Sequence, residues 1–280
     1  MTSMGVLGRL RATSAFGSRV TQSIHMVTWL APGLPLAFFE RIRSTLAEQL
    51  KIQVTLESRA KRSGPVVGSA DPFGQGAADV GFMCAPACVP AHLRKEAGFD
   101  LLGLAPVFDD PRYQEKAICY CDLVVRSDAI FSSLEDLRGR RFGFNDRVSL
   151  SGWLGLSTRL ESMNTHPDEF FGSVVHTGGH LHSLKALKEG SIDVASIDSN
   201  VLCSHGDSLR GLRVLDNVGP WPSQPVVVRL TMTAKERQAL KDALVLCGPW
   251  PEFGFAGFGS QKAEDLEQVP TAAEDQRKGC

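Results

Sequence analysis

The sequence lacks the features that would identify a membrane protein or a nucleic-acid-binding protein. No stretch of the 280-residue chain reaches about 18 consecutive apolar residues, so no insertion into a membrane is expected. Lysine and arginine total 30 against 31 aspartates and glutamates, a formal net charge of -1, which argues against a nucleic-acid partner. Walker A, Gly-x-Gly-x-x-Gly and Gly-x-Ser-x-Gly motifs are also missing, which removes the commonest signatures of nucleotide-binding enzymes and serine hydrolases.

The two ends of the chain differ in composition from its middle. No acidic residue precedes Glu40, although the same segment contains several arginines among serines and threonines. Residues 1–24 therefore have the composition of a flexible leader or of a mitochondrial transit peptide, and both interpretations stay open. Residues 261–280 are rich in charge and poor in large apolar side chains, which predicts a disordered tail. The odd count of 7 cysteines favours reduced thiols in a soluble, intracellular protein, cytoplasmic unless the leader directs import.

Between these ends, apolar runs typical of strands alternate with apolar residues at helical spacing. The predicted strands are residues 25–30, 53–57, 78–83, 101–106, 117–126, 141–144, 174–175, 193–197, 212–218 and 225–230. The predicted helices are residues 35–50, 86–97, 152–163, 180–189 and 233–246. Two series of this kind predict an α/β fold with two lobes and mostly parallel sheets.

One loop of the second series carries hydroxyl groups at the start of a predicted helix. Ser149 and Ser151 follow a strand, and the helix begins at Gly152. The first turn of a helix has unpaired N–H groups and a partial positive charge, so these hydroxyls and the amides of Gly152 and Trp153 form a candidate oxyanion site. The alternative is that Ser151 only caps the helix.

The next two strands also end in polar residues. His180 begins the helix that follows Gly178 and Gly179, and Asp198 follows the next strand. Polar groups at consecutive strand ends are typical of a ligand crevice at the carboxyl edge of an α/β sheet. His180 and its two neighbouring histidines are alternative metal ligands, but no carboxylate or cysteine stands beside them, so no metal is expected.

Several motifs occur in one consistent order between residues 29 and 230. They are Leu-Glu-Asp-Leu-Arg-Gly-Arg-Arg-Phe at 134–142, Asn145-Asp146, Ser149-x-Ser151-Gly152-Trp153, Phe170-Phe171, Gly179-His180, Gly190-x-x-Asp193-Val194-Ala195, Ala78-Asp79-Val80-Gly81-Phe82 and Gln224-Pro225-Val226. As an ordered set, these motifs resemble the phosphonate/phosphate-type substrate-binding proteins of ABC transporters.

The resemblance implies a type II periplasmic-binding-protein fold, in which a ligand lies between two lobes. Lobe 1 would comprise residues 25–118 and 228–260, and lobe 2 residues 119–227. The implied function is non-catalytic binding of a small oxyanion such as phosphate, phosphite or a phosphonate. A monomer without a cofactor, working with a transporter permease, would be expected.

The resemblance also implies a set of ligand-binding residues. The donors at the helix start would be Ser149, Ser151 and Gly152, with the neighbouring Trp153 amide, and His180 would be a further donor. Asp198 and Gln224 would line the cleft near the hinge.

The chain departs from the family pattern in three ways that concern the ligand. No tyrosine stands in Phe82-Met83-Cys84, where the family has an aromatic residue after the strand of the first lobe. Leu150 replaces a hydroxyl residue, and Asn200 stands where an acidic residue would hold the amine of an aminophosphonate. Two alternative functions stay open. One is an intracellular enzyme similar to the thiamine-pyrimidine synthases, and the other is an orphan sensor.

Overall fold

The computed structural model describes residues 23–59, 63–65, 71–94 and 98–271. The strands are β1 Ser23–Thr28, β2 Gln53–Ser58, β3 Val80–Phe82, β4 Phe99–Leu101, β5 Leu104–Phe108, β6 Ile118–Arg126, β7 Arg141–Phe144, β8 Ser173–His176, β9 Val194–Asp198, β10 Leu212–Pro222, β11 Val226–Arg229 and β12 Phe255–Ser260. The helices are α1 Leu36–Leu50, α2 Ala85–Arg94, α3 Gly155–Glu161, α4 Pro167–Phe170, α5 His180–Lys188, α6 Ser199–Ser204, α7 Ala234–Val245 and α8 Ala263–Leu266. A π-helical turn, Leu150–Leu154, precedes α3.

The first lobe is built on a five-stranded sheet of order β2-β1-β3-β11-β4. Strand β1 pairs in parallel with β2 and β3, whereas β11 runs antiparallel to β3 and β4. Helix α1 covers this sheet with a stripe of apolar residues at helical spacing, and Phe38, Phe39, Ile42 and Leu46 are almost completely buried. Because β11 is late in the sequence, the chain must return to this lobe after building the second.

The second lobe is built on a five-stranded sheet of order β10-β6-β9-β7-β8. Strand β7 is parallel to both β8 and β9, while β6 is antiparallel to β9 and β10. The carboxyl ends of β7, β8 and β9 therefore lie at one edge of the sheet. The chain enters this lobe through residues 109–117, the first crossing, and leaves it through residues 223–225, the second crossing.

One sequence prediction fails where distant segments pair. The predicted strand 101–106 is two strands in different sheets, because Gly103 adopts a φ of 81° and turns the chain between them. Strand β5 then pairs with the late strand β12, and both lie against Phe38, with Phe108 and Phe255 at ring-centroid distances of 5.8 and 4.9 Å. Neither strand has a local signal for this pairing, because the two segments are far apart in the sequence and meet only in the folded chain.

The prediction of a disordered tail from residue 261 is wrong for residues 261–271. Gln261 is buried and its amide nitrogen donates to the Ser223 carbonyl at 2.7 Å. Leu266 of α8 and Val269 are each 3% exposed and pack in one apolar cluster with Cys84 and Val89. Burial of these two side chains keeps the segment packed against the rest of the protein, although its average composition is polar. Residues 272–280 and most of the predicted leader, 1–22, lie outside the described residues, whereas residues 23–24 begin β1.

No helix within the described ranges is both long enough and apolar enough to cross a bilayer.

An ion pair between a partly exposed arginine and a buried carboxylate joins the first crossing to the second lobe. Arg112 donates to both carboxylate oxygens of Asp122, at 2.7 and 2.9 Å, and also to Asp110. Asp122 is completely buried on β6, and this burial raises the pKa of its carboxyl group, while Arg112 opposes the rise. Arg112 therefore compensates a charge that the strand would otherwise bury alone.

Replacing Arg112 by methionine is expected to lower the free energy of unfolding by about 3 kcal/mol at pH 7, because Asp122 then remains as an uncompensated buried charge. The pKa of Asp122 rises further in this variant, so the loss is largest above that pKa and shrinks as the pH falls toward the unfolded value of about 3.9. Urea unfolding at pH 7 and about pH 4 measures both effects. Arg210→Met, which removes an exposed partner of Asp207, is the control and should change stability by less than about 0.5 kcal/mol. Equal losses of unfolding free energy in the two variants, or a loss independent of pH, would contradict the role of Arg112 in compensating the charge of Asp122.

Candidate functional site

A cleft lies between the two lobes at the carboxyl ends of β7, β8 and β9. It encloses a cavity of about 90 Å³. The first lobe contributes the loop 29–34 after β1, Ser63 and Cys84, and the second contributes residues after β7, β8 and β9. By the same measure a single water needs about 10–15 Å³, so the cavity has room for a small ligand of several heavy atoms.

Four of the residues predicted from the sequence form one hydrogen-bonded network in this cleft. The Ser151 hydroxyl donates to Asp198 Oδ2 at 3.2 Å, and His180 Nε2 lies 3.3 Å from Ser151 Oγ. Gln224 Nε2 donates to the same Asp198 oxygen at 2.7 Å. All four residues line the cavity and are at most 8% exposed. The structure therefore brings together side chains from the π-helical turn, α5, the end of β9 and the second crossing.

Ser149 begins the π-helical turn and also lines the cavity. Its backbone is extended, with φ -78° and ψ 129°, and its hydroxyl oxygen accepts the Gly152 N–H at 3.1 Å. The Leu154 N–H reaches the Ser149 carbonyl at 3.0 Å, five residues back, which makes the turn wider than an α-helix. The Gly152 amide is therefore already paired, in contrast to the free donor that the sequence predicts.

Gly152 allows a close approach by Asn145. A Cβ atom at this position would lie 1.6 Å from Asn145 Oδ1 and 2.7 Å from its Cγ, so any larger residue would displace the amide. Asn145 lines the cavity, and its Oδ1 is buried without a hydrogen-bond partner in the described part of the chain. The absence of a side chain at Gly152 therefore allows the Asn145 amide to lie beside the cleft.

Trp153 does not lie in the cleft, so the sequence prediction for this residue is wrong. Its side chain is 0% exposed and packs in the core of the second lobe, 4.8 Å from the Phe144 ring and 6.1 Å from the Phe142 ring. Its amide is also paired, with the Ser149 carbonyl at 3.2 Å. The π-helical turn directs this position toward the apolar interior.

Burial changes the ionisation of the groups that line the cleft. It lowers the pKa of His180 to about 4, so the imidazole is neutral at pH 7. It raises the pKa of Asp198 to about 6, against hydrogen bonds from Asn200 N, Ser151 and Gln224 that favour the carboxylate. Burial also raises the pKa of the Cys84 thiol to about 12. Among the described residues the lining includes two carboxylates, Asp198 and Asp146, and no lysine or arginine.

His176 and His180, two of the three neighbouring histidines, have separate surroundings. His176 is exposed and its Nε2 lies 2.9 Å from the Asn145 carbonyl, whereas His180 faces Ser151. No group of three or more His, Cys, Asp or Glu side chains in the described ranges is arranged to hold a metal ion.

Several lining residues were not predicted from the sequence. Asn145 and Asp146 follow β7 in the same way that Asp198 ends β9, so the strand-end rule could have identified them. The loop 29–34 consists of apolar residues and a glycine that carry no chemical signal, although it too follows the carboxyl end of a strand. Ser63 and Cys84 approach from the first lobe only because the two lobes face each other.

The lobes make polar contacts across the cleft. His205 Nε2 lies 3.0 Å from the Gly33 carbonyl, and the Leu150 N–H donates to Cys84 Sγ at 3.5 Å. The Ser63 hydroxyl donates to Asp146 at 3.4 Å. A ligand in the cavity would therefore touch both lobes.

The Gly152→Ala substitution is expected to lower the free energy of unfolding by about 1–3 kcal/mol, because the new methyl group must push Asn145 aside. Gly206→Ala is the matched control, since a Cβ there meets nothing within 4 Å. Urea unfolding of both variants measures the difference. A loss in Gly206→Ala as large as that in Gly152→Ala would show that backbone effects, and not the contact with Asn145, determine the result.

Solved structures share this architecture at low sequence identity. The binding protein component of an ABC phosphonate transporter from Pseudomonas aeruginosa matches with a TM-score of 0.69 and 18% identity, over 87% of this chain and 83% of that one. PhnD1 from Prochlorococcus marinus, solved in complex with methylphosphonate, matches with a TM-score of 0.70 and 13% identity, over 92% and 99%. The periplasmic aliphatic sulphonate binding protein SsuA of Escherichia coli matches with a TM-score of 0.56 and 13% identity, over 93% and 88%. These likenesses confirm the predicted two-lobed type II periplasmic-binding-protein fold.

A family model supplies the functional class. No curated protein sequence matches the chain. The model of the phosphonate periplasmic substrate-binding protein of ABC transporters matches residues 36–266. This family consists of periplasmic binding proteins, so the prediction of an intracellular location from cysteine content and leader composition is wrong. Since these proteins bind substrates for transport and are not enzymes, the enzyme alternative has no support. The chain belongs to the phosphonate substrate-binding protein family of ABC transporters.

Proposed function

We propose that the cleft binds a small tetrahedral oxyanion, a phosphonate, phosphite or phosphate, and releases it chemically unchanged to a transporter permease. The observation that supports this best is the network of Ser151, His180, Asp198 and Gln224 beside Ser149, enclosed between two lobes. PhnD1, which shares the fold, binds methylphosphonate. The cavity of about 90 Å³ suits a ligand of this size.

The groups that would contact the oxyanion come from two helix starts. Ser149 and Ser151 lie at the beginning of the π-helical turn that continues into α3, and His180 is the first residue of α5. The backbone at Gly178 and Gly179 also lines the cavity, just before α5. Helix starts carry a partial positive charge, so they stabilise an anion where the described lining has no basic side chain.

Part of the cavity lining is apolar and would face the substituent on phosphorus. It includes Trp29, Leu30, Leu34 and Val201. An amine on the ligand would find no acidic partner at Asn200, because this residue is completely buried and its amide is bonded to Tyr113, Ser223 and Gln224. The apolar lining therefore favours hydrogen or a small alkyl group as the substituent, and Asn200 adds no acidic partner for an amine.

The proposed binding cycle depends on movement between the lobes. We assign residues 25–118 and 228–260 to lobe 1 and residues 119–227 to lobe 2; these bounds agree with the strands of the two sheets to within two residues, so both crossings lie at the hinge. A ligand that contacts both lobes stabilises the closed arrangement, and loss of those contacts opens it. We expect a monomer to perform this cycle, because the residues of a single chain already form the cavity.

Removal of either hydroxyl from the turn should weaken binding. Ser151→Ala and Ser149→Ala are each expected to raise the Kd for methylphosphonate about 10-fold or more, since each removes a buried hydroxyl from the cavity lining and Ser151→Ala also removes a hydrogen bond from Asp198. Isothermal titration calorimetry with methylphosphonate, phosphite, phosphate and sulphate measures the effect. Ser157→Ala is the control, because this buried hydroxyl bonds the Trp153 carbonyl inside the lobe and is not part of the lining. Unchanged affinity in both cleft variants, or no binding of any of these anions by the wild type, would overturn the proposed function.

The contact between His205 and Gly33 should stabilise closure without touching the ligand. His205→Ala is expected to raise the Kd by about 2- to 10-fold, the value of one hydrogen bond, and to increase the radius of gyration of the protein measured by small-angle scattering with ligand present. His25→Ala is the control, because that ring pairs with Thr55 within the first lobe. Equal effects of the two substitutions on Kd would contradict a role in closure.

A further inference from the structure

We propose that the cleft binds its oxyanion with one proton shared between a ligand oxygen and the Asp198 carboxylate. The cleft then selects oxyacids that can carry a proton, such as phosphonates, phosphite and phosphate, over sulphonates and sulphate. This inference rests on the proposed function and defines the class of anion that the same site accepts.

The position of Asp198 is the first reason. Its carboxylate is 5% exposed and lines the cavity, with Oδ1 accepting the Asn200 N–H at 2.9 Å and Oδ2 accepting from Ser151 and Gln224. A carboxylate has about four acceptor sites and no donor, so about one site remains open to a ligand. A fully ionised oxyanion also only accepts hydrogen bonds, and two acceptors in contact repel each other unless a proton lies between them.

The other titratable groups around Asp198 do not relieve this repulsion. Asp146 also lines the cavity, and Asp122 on the neighbouring strand β6 raises the pKa of Asp198 by its negative charge. His180 is neutral because burial lowers its pKa to about 4. The thiols nearby are neutral as well, because burial raises the pKa of each, at Cys84, Cys119 and Cys121. Within the described lining, no cationic side chain offsets the carboxylate.

Only O–H bonds form or break when the ligand binds. A monoanion such as hydrogen methylphosphonate brings its own proton, which its P–OH group donates to Asp198. The dianion must take up one proton from solvent as it binds. Methanesulphonate has the same shape but is ionised without a remaining proton, so it binds only to the fraction of protein in which Asp198 itself is protonated.

Calorimetry of the wild-type protein tests this directly. Methylphosphonate is titrated at about pH 8.5, above its second pKa, in buffers that differ in ionisation enthalpy. We expect an uptake of about one proton per ligand, and a Kd that rises about 10-fold for each further pH unit. Methanesulphonate at the same pH should bind at least 100-fold more weakly. Binding of methylphosphonate without proton uptake, or equal affinity for the two anions, would overturn the inference while leaving oxyanion binding intact.

Asp198→Asn provides the matched variant, since the amide oxygen can still accept the Asn200 N–H. The ratio of the two affinities should fall at least 10-fold, and the proton uptake should disappear. Asp207→Asn is the control because it removes an exposed carboxylate, and it should change neither quantity. Retention of full selectivity by Asp198→Asn would overturn the inference. Should this variant fail to fold, the proton uptake of the wild type still decides the question. A wild type that binds none of the anions overturns the proposed function itself.

Discussion

A carboxylate buried without a cation determines how the cleft is built. A charge removed from water is costly unless hydrogen bonds replace its hydration, and Asp198 receives them from Asn200, Ser151 and Gln224. These three donors belong to α6, to the π-helical turn and to the second crossing. The hydrogen bonds to this one carboxylate therefore keep three separate segments together at the end of β9. The cavity lies beside these segments.

The conformation of the π-helical turn also depends on hydrogen bonds to β9. Its Ser151 is bound to β9 from two sides, because its carbonyl accepts the Ser196 hydroxyl and its own hydroxyl donates to Asp198. Gly152 must then lie against Asn145, where a side chain would not fit. The turn widens to i→i+5 hydrogen bonding from Ser149, and this places Trp153 in the apolar core. The geometry of the π-helical turn at the cleft therefore depends on the packing of Trp153 in the core.

This explains how far sequence reasoning could reach. The rule that polar residues gather at the carboxyl ends of parallel strands locates Ser149, Ser151, His180 and Asp198 without any structure, since alternation of strands and helices is a local signal. It fails for Trp153 and for the amide of Gly152, because the phase of a helix start depends on tertiary contacts. It cannot find the loop 29–34, whose apolar residues acquire their role only from the facing lobe. The pairing of β5 with β12 and the packing of Leu266 depend on contacts between distant segments, which no local pattern records.

The same network joins the ligand site to the hinge. Tyr113, in the first crossing, donates to Asn200 Oδ1 at 2.8 Å, and the Asn200 amide nitrogen donates to Gln224 in the second crossing at 3.0 Å. Gln224 in turn donates to Asp198. Both connections between the lobes are therefore bonded, through Asn200 and Gln224, to the carboxylate that lines the cavity. Protonation of Asp198 would weaken its acceptance of the Gln224 N–H, and so would act on the second crossing. These hydrogen bonds form a continuous set between both crossings and the cavity lining, and the proposed coupling of binding to lobe closure would pass through them.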